Sequence, residues 1–110
     1  MEIPQQRTYY VVTAITAFES FQDAAAQAPE VIAAHIARSQ TLHSEGTLLM
    51  SGAFLDHPEE PLSTMAVLTT REAAEAYMQG DPFVLNGKVR KWTIHEWANM
   101  FAEPSASEPS

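Results

Sequence analysis

The sequence predicts an α+β fold, a four-stranded antiparallel sheet with two helices packed on one of its faces. Three observations predict it. Runs rich in β-branched and aromatic residues alternate with two helical patterns in the order β-α-β-β-α-β. Each helical pattern stops at a glycine, Gly46 for the first and Gly80 for the second. The chain has 110 residues, 45% of them hydrophobic, which is enough for one domain with its own core and too little for two.

Taken in order, Tyr9-Tyr10-Val11-Val12-Thr13-Ala14-Ile15-Thr16 reads as the first strand. Phe18 to Ala28, with Phe18, Phe21 and several alanines, fits a short helical turn. Pro29 suits the first turn of a helix, where its missing N–H costs nothing, and that helix is expected to run through Glu45. Leu48 to Leu55 is the second strand, His57-Pro58-Glu59-Glu60-Pro61 a loop, and Ser63 to Thr69 the third strand. Thr69 and Glu72 stand three apart, as in a capping box, ahead of the second helix from Arg71 to Met78. Asp81-Pro82-Phe83 follows as the start of a turn or short helix, and Gly87 reads as a turn. Val89 to Trp97 is the last strand, followed by a short helical turn near Met100. Residues 1–101 are expected to form the single domain, and residues 102–110, Ala-Glu-Pro-Ser-Ala-Ser-Glu-Pro-Ser, a disordered tail with almost nothing to bury.

This order is the split βαβ, ferredoxin-like arrangement. It covers one face of the sheet and leaves the other bare. A bare face bearing Tyr, Trp and Val would be a large apolar patch, and a second copy packed sheet to sheet would cover it. A homodimer is therefore expected, with a pocket for a small molecule between sheet and partner or between sheet and helix.

Composition excludes several functions. The formal net charge is −8, from 14 acidic against 6 basic residues, which disfavours nucleic acid and anionic membrane surfaces as partners. Cysteine is absent, so thiolate chemistry and disulfides are excluded. No apolar run approaches the roughly 20 residues of a membrane span. The start, Met1-Glu2-Ile3-Pro4-Gln5-Gln6-Arg7, lacks the pattern of a signal peptide, and a cytoplasmic location is expected. The four glycines stand singly, which gives no phosphate-cradling loop, and Ser51-Gly52 lacks the context of a nucleophile elbow.

The candidate chemistry lies in histidines and one aspartate. On the first helix Val31, Ile32, Ile36 and Leu42 fall within an arc of roughly 140°, and His35 and His43 lie inside it. An imidazole on an apolar face is either a hydrogen-bonded core residue or a general acid–base group at a pocket. Asp81 could cap the turn or short helix begun by Pro82, orient an imidazole, or do both. His95 and Glu96 are strand neighbours and point to opposite faces, and His57 sits in a solvated loop. No metal is expected: there is no His-Glu-x-x-His, and His35 and His43 are too far apart to chelate as an i, i+4 pair. Lys88, Arg90 and Lys91 read as the guard of an edge strand, or as an attraction for an anionic substrate.

Two segments carry a family resemblance. Ala34-His35-Ile36-Ala37-Arg38-Ser39-Gln40-Thr41-Leu42-His43-Ser44-Glu45-Gly46-Thr47-Leu48-Leu49-Met50-Ser51-Gly52 is similar to a histidine-bearing helix leading into a G-x-L-L-x-x-G strand. Asp81-Pro82-Phe83-Val84-Leu85-Asn86-Gly87 is similar to a D-P-[FY]-x-x-x-G motif. Together they resemble the YciI-like (YCII-related) family over about residues 8–98. The resemblance implies a dimeric α/β barrel of ferredoxin-like subunits, related to muconolactone isomerase. It implies a site built on a histidine and an aspartate, here His35 and Asp81, acting without metal or organic cofactor. One activity in the family is elimination of chloride from a chlorinated hydroxyquinol. The arginine often found ahead of the family's helix histidine is missing from Phe18 to Glu30.

On this reading His35 moves a proton on a small cyclic substrate, Asp81 holds its ring, and Tyr10, Ser51 and Phe83 contact the substrate, while His43 packs. The expected function is a cofactor-free lyase or isomerase of dehydrochlorinase or muconolactone-isomerase type. The alternatives are a non-catalytic small-molecule-binding or regulatory module of the same fold, and a cofactor-independent monooxygenase.

Overall fold

A computed structural model describes residues 7–101. The expectation of a disordered tail at 102–110 falls outside them. The elements are β1 (Arg7–Thr16), α1 (Phe21–Gln27), α2 (Pro29–Ser44), β2 (Leu48–Ala53), β3 (Ser63–Leu68), α3 (Arg71–Gln79), α4 (Pro82–Leu85) and β4 (Val89–Asn99). The four strands form one antiparallel sheet in the order β2-β3-β1-β4, with the helices on one face.

The period of two along β1 decides the layers. Val12, Ala14 and Thr16 are buried beneath the helices, together with Leu48, Ala66, Leu68, Ala74, Tyr77 and Met78. Tyr9, Val11 and Thr13 face the other way, opposite Trp97, His95 and Thr93 of β4. A second cluster, Phe18, Ala24, Ala28 and Phe83, fills the end of the sheet where α1 and α4 meet.

Three local expectations need correction. The second helix is capped by Thr70, whose hydroxyl accepts from the Ala73 N–H, and not by Thr69. The Thr69 N–H is already bonded to the Thr47 carbonyl as the chain leaves β3, so the cap forms one residue later. Near Met100 the chain bends without forming a helical turn, because β4 stays paired with β1 through Asn99, opposite Arg7. The third correction concerns α2, which has no buried residue despite its apolar arc. Val31 and Ile32 pack on the Phe18–Phe83 cluster and Leu42 packs on the sheet cluster. Between these two anchor points one side of the helix borders an open space, where Ile36 is 47% exposed.

Candidate active site

That space is a cleft of about 520 Å³ between α2 and the β2 edge of the sheet. From α2 it is lined by His35, Ile36, Ser39, Gln40 and His43, and from the sheet side by Ser51 and Thr64 among others. His35, Ser39 and His43 stand at i, i+4 and i+8, one turn apart on one side of the helix. His43, expected to pack, is instead exposed at the cleft.

A bulge brings Ser51 to this space. Leu48 pairs with Leu68, but the register then shifts and Met50 pairs with Val67. The extra residue places Ser51, rather than Met50, opposite Ala66 on the helix-covered side. Met50 turns toward the open face and is 59% exposed.

Asp81-Pro82-Phe83 works as a unit against α2. Asp81 holds an extended conformation, as a residue before proline does, and is only 4% exposed. Pro82 starts α4 and has no N–H, so the Phe83 N–H is the first available to the cap, and it donates to Asp81 Oδ1 at 3.3 Å. The same oxygen lies 2.8 Å from His35 Nδ1. An ionised carboxylate can only accept, so His35 Nδ1 is the donor, and the neutral ring carries its free lone pair on Nε2. Asp81 therefore both caps a helix and orients an imidazole.

The Phe83 ring is buried and stacks on His35, with centroids 4.7 Å apart and planes 3° from parallel. Phe18 backs Phe83 at 5.8 Å. The imidazole is fixed by a hydrogen bond at its edge and by an aromatic ring on its face, and its side chain remains 19% exposed. Phe83 supports His35 from behind and does not line the cleft. Tyr10 lies outside the lining too: it shares the helix-covered face with Val12, and the Arg71 guanidinium sits 5.1 Å from its ring centroid.

Two further residues complete the site. Arg38, three positions after His35, donates from Nη1 to the Tyr77 carbonyl and from Nη2 to the Ala76 carbonyl, both at 2.8 Å. These carbonyls end α3, where a cation is favoured. Gly80, at the C-cap of α3, makes room for the guanidinium: a Cβ there would stand 2.8 Å from Nη2. Tyr77 projects from α3, is 6% exposed and lines the cleft with His35. Burial pushes its phenol above the ordinary value of 10.0; a hydrogen bond with Ser39 opposes this, and the Asp81 charge adds to it more than Arg38 takes away. The apolar arc gave no sign of Arg38 or Tyr77. The C-terminal end of the second helix, which favours a cation, was the available signal for Arg38.

The other candidates lie elsewhere. His95 pairs opposite Val11 on the open face and Glu96 opposite Tyr10 on the covered one, so they point apart. Arg90 and Lys91 are exposed on the edge strand β4. Among the described residues, His57, Glu59 and Glu60 could converge on a metal ion, but all three are exposed in the loop before β3 and none lines the cleft. No helix of the described residues is long and apolar enough to cross a membrane.

The chain is similar in fold to 5-chloro-2-hydroxyhydroquinone dehydrochlorinase from Burkholderia phenoliruptrix AC1100, solved in complex with 2,5-dihydroxybenzoquinone; the TM-score is 0.59 at 14% identity, covering 81% of this chain and 92% of that one. A protein of unknown function from Nitrosomonas europaea matches with a TM-score of 0.49 at 13% identity, over 93% and 97% of the two chains. A cofactor-independent oxygenase from Streptomyces nogalater matches with a TM-score of 0.43 at 12% identity, over 94% and 100%. No curated protein matches the sequence. A sequence model of the YCII-related domain matches residues 9–98, which takes in the histidine-bearing helix, the Asp-Pro-Phe segment, β2, β3 and all but the outer ends of β1 and β4. The chain belongs to the YCII-related family.

Proposed function

We propose that this protein is a lyase or isomerase that moves a proton on a small, hydroxylated cyclic molecule, with His35 as the acid–base group and Asp81 as its orienting partner. The observation that carries this reading is the 2.8 Å contact between His35 Nδ1 and Asp81 Oδ1 in a ring that also lines a cleft. With Nδ1 committed to the carboxylate, Nε2 is the nitrogen free to take a proton from a bound molecule. Asp81 then stabilises the imidazolium that forms. The proton moves between substrate and imidazole, so the step itself requires no metal or organic cofactor. Among the described residues no lysine or arginine lines the cleft, which favours an uncharged ring over a carboxylate-bearing one. The fold likeness to a dehydrochlorinase of a chlorinated hydroxyquinol supports the same class.

A homodimer belongs to this proposal. The uncovered face of the sheet carries Tyr9, Val11, Met65, Val67 and Trp97 around a groove of about 870 Å³, and Trp97 is 47% exposed. A second copy packed on this face would bury that apolar surface.

The test is turnover of chlorinated and unchlorinated hydroxyquinols and of lactones by wild type and His35→Gln, with oxygen uptake recorded in parallel. Loss of about 10²–10⁴-fold in kcat, with fold and oligomeric state retained, is the expected result. Undiminished turnover in His35→Gln would overturn the assignment. Ligand binding without turnover would make the protein a binding module, and oxygen consumption a monooxygenase.

A further inference from the structure

We propose that Tyr77 is a third member of this site: its phenol donates a hydrogen bond to the substrate oxygen on which negative charge develops as His35 takes a proton. The inference rests on the assignment of His35 as the proton acceptor. It goes further, because it names the group that stabilises the other half of the separated charge.

The geometry supports it in three ways. Tyr77 and His35 come from different helices, α3 and α2, and border one cleft, so a ring bound there would lie between them. Tyr77 is also held still. Its side chain belongs to the sheet-side core cluster, its carbonyl is fixed by Arg38 Nη1, and the guanidinium lies 5.6 Å from its ring centroid. A donor that need not reorganise during the reaction is worth more to a developing anion than a mobile one. Finally, the other cleft hydroxyls, Ser39, Ser51 and Thr64, are aliphatic, so the phenol is the most acidic O–H available and the strongest donor to an oxyanion. The charged groups acting on it are Asp81 and Arg38, Ser39 hydrogen-bonds to it, and His35 and His43 border the same cleft. Burial, helped by Asp81, keeps the phenol protonated, and Arg38 is already committed to the Ala76 and Tyr77 carbonyls.

The proton balance closes within the site. The substrate O–H or C–H bond breaks, its proton passes to His35 Nε2, and the electron pair remains on the substrate as a phenolate or enolate. His35 keeps its Nδ1–H on Asp81. Tyr77 keeps its own proton and only shares it with the substrate oxygen.

4-Nitrophenol, whose anion is yellow, is a probe that needs no knowledge of the natural substrate. Its ionisation when bound is followed by absorbance against pH in wild type, Tyr77→Phe and His35→Gln. The expected result is that Tyr77→Phe raises the midpoint for the bound probe by about one pH unit, a tenfold weaker preference for the anion. The ¹⁵N signals of His35 stay unchanged in that variant, which separates a lost donor from a disturbed helix pair. Replacing tyrosine by 3-fluorotyrosine strengthens the donor and moves the midpoint the other way, and this arm stands even if Tyr77→Phe does not fold. Identical midpoints in wild type and Tyr77→Phe, no shift with fluorotyrosine, or no binding of the probe to wild type would each overturn the proposal. A midpoint unchanged only in His35→Gln would instead count against the His35 assignment.

Discussion

Replacing Gly80 by alanine tests how the helix pair is clamped. Gly80 has φ −100° and ψ 0°, a conformation open to alanine, so backbone strain is not the issue. The new methyl group would stand 2.8 Å from Arg38 Nη2 and 3.2 Å from both Arg38 Cζ and the Ala76 carbonyl oxygen. The guanidinium must retreat and give up its bonds to the Ala76 and Tyr77 carbonyls. Arg38 is half-buried, so water replaces part of what is lost, and about 1 kcal/mol for each bond is the right scale. Alanine restores about 0.5–1 kcal/mol by restricting the unfolded chain. The net loss is about 1–1.5 kcal/mol, or roughly 5 °C in Tm for a domain of this size. Urea unfolding at one fixed protein concentration, with Gly80→Ala, Arg38→Ala and the double variant, measures it. The closest contact requires Arg38, so Gly80→Ala should cost clearly less in the Arg38→Ala background, where only the 3.2 Å contact with the Ala76 carbonyl oxygen remains. An equal cost in both backgrounds would refute the clamp.

Other outcomes follow from the same geometry. Because burial raises the Tyr77 pKa, the unfolded chain loses that proton first, so its contribution is complete below pH 10.0 and disappears as pH rises through the folded value. Alkaline unfolding should move to higher pH in Tyr77→Phe, as read by circular dichroism. Asp23 is held below its ordinary value by the Glu19 N–H and the Gln27 amide, so its contribution is present above pH 3.8 and fades as pH falls through the lowered value. Asp23→Asn should lower stability in the neutral range, where that contribution is present, and flatten the acid limb of the stability curve. Asp81→Ala removes the α4 cap as well as the histidine partner and should cost about 1–2 kcal/mol, whereas Asp81→Asn retains an acceptor and should cost less. Equal losses in chemical denaturation would contradict the double role.

The sequence made the architecture legible because its signals are local. The β-branched runs, Pro29 at a helix start, and Gly46 with φ 81° at a helix end all act within a few residues of their own position. His35 and Asp81 were legible as candidates, through the helix arc, the Asp-Pro turn and the family motifs. Their contact spans 46 residues of sequence and depends on how α2 seats against α4, which no local pattern encodes. The apolar arc of α2 pointed to burial because periodicity marks a face, but does not say whether that face meets core or cleft. Ser51 reached the cleft through a bulge, and strict alternation along β2 does not reveal an extra residue. Arg38 and Tyr77 were missed for a related reason. A polar residue off the apolar arc reads as solvated, and a tyrosine among alanines reads as core, until the tertiary contact gives each a partner.

The central claim is that His35 keeps its Nδ1–H, donates it as a hydrogen bond to Asp81, and holds a lone pair on Nε2 for the cleft. A long-range ¹H–¹⁵N correlation spectrum of the neutral protein reads the tautomer directly, in wild type and in Asp81→Asn. The account predicts the Nδ1–H tautomer in wild type. It predicts a weakened preference in Asp81→Asn, because an asparagine amide can either accept or donate. A neutral His35 carrying its proton on Nε2 in wild type would contradict the account, since the nitrogen meant to accept the substrate proton would already be occupied.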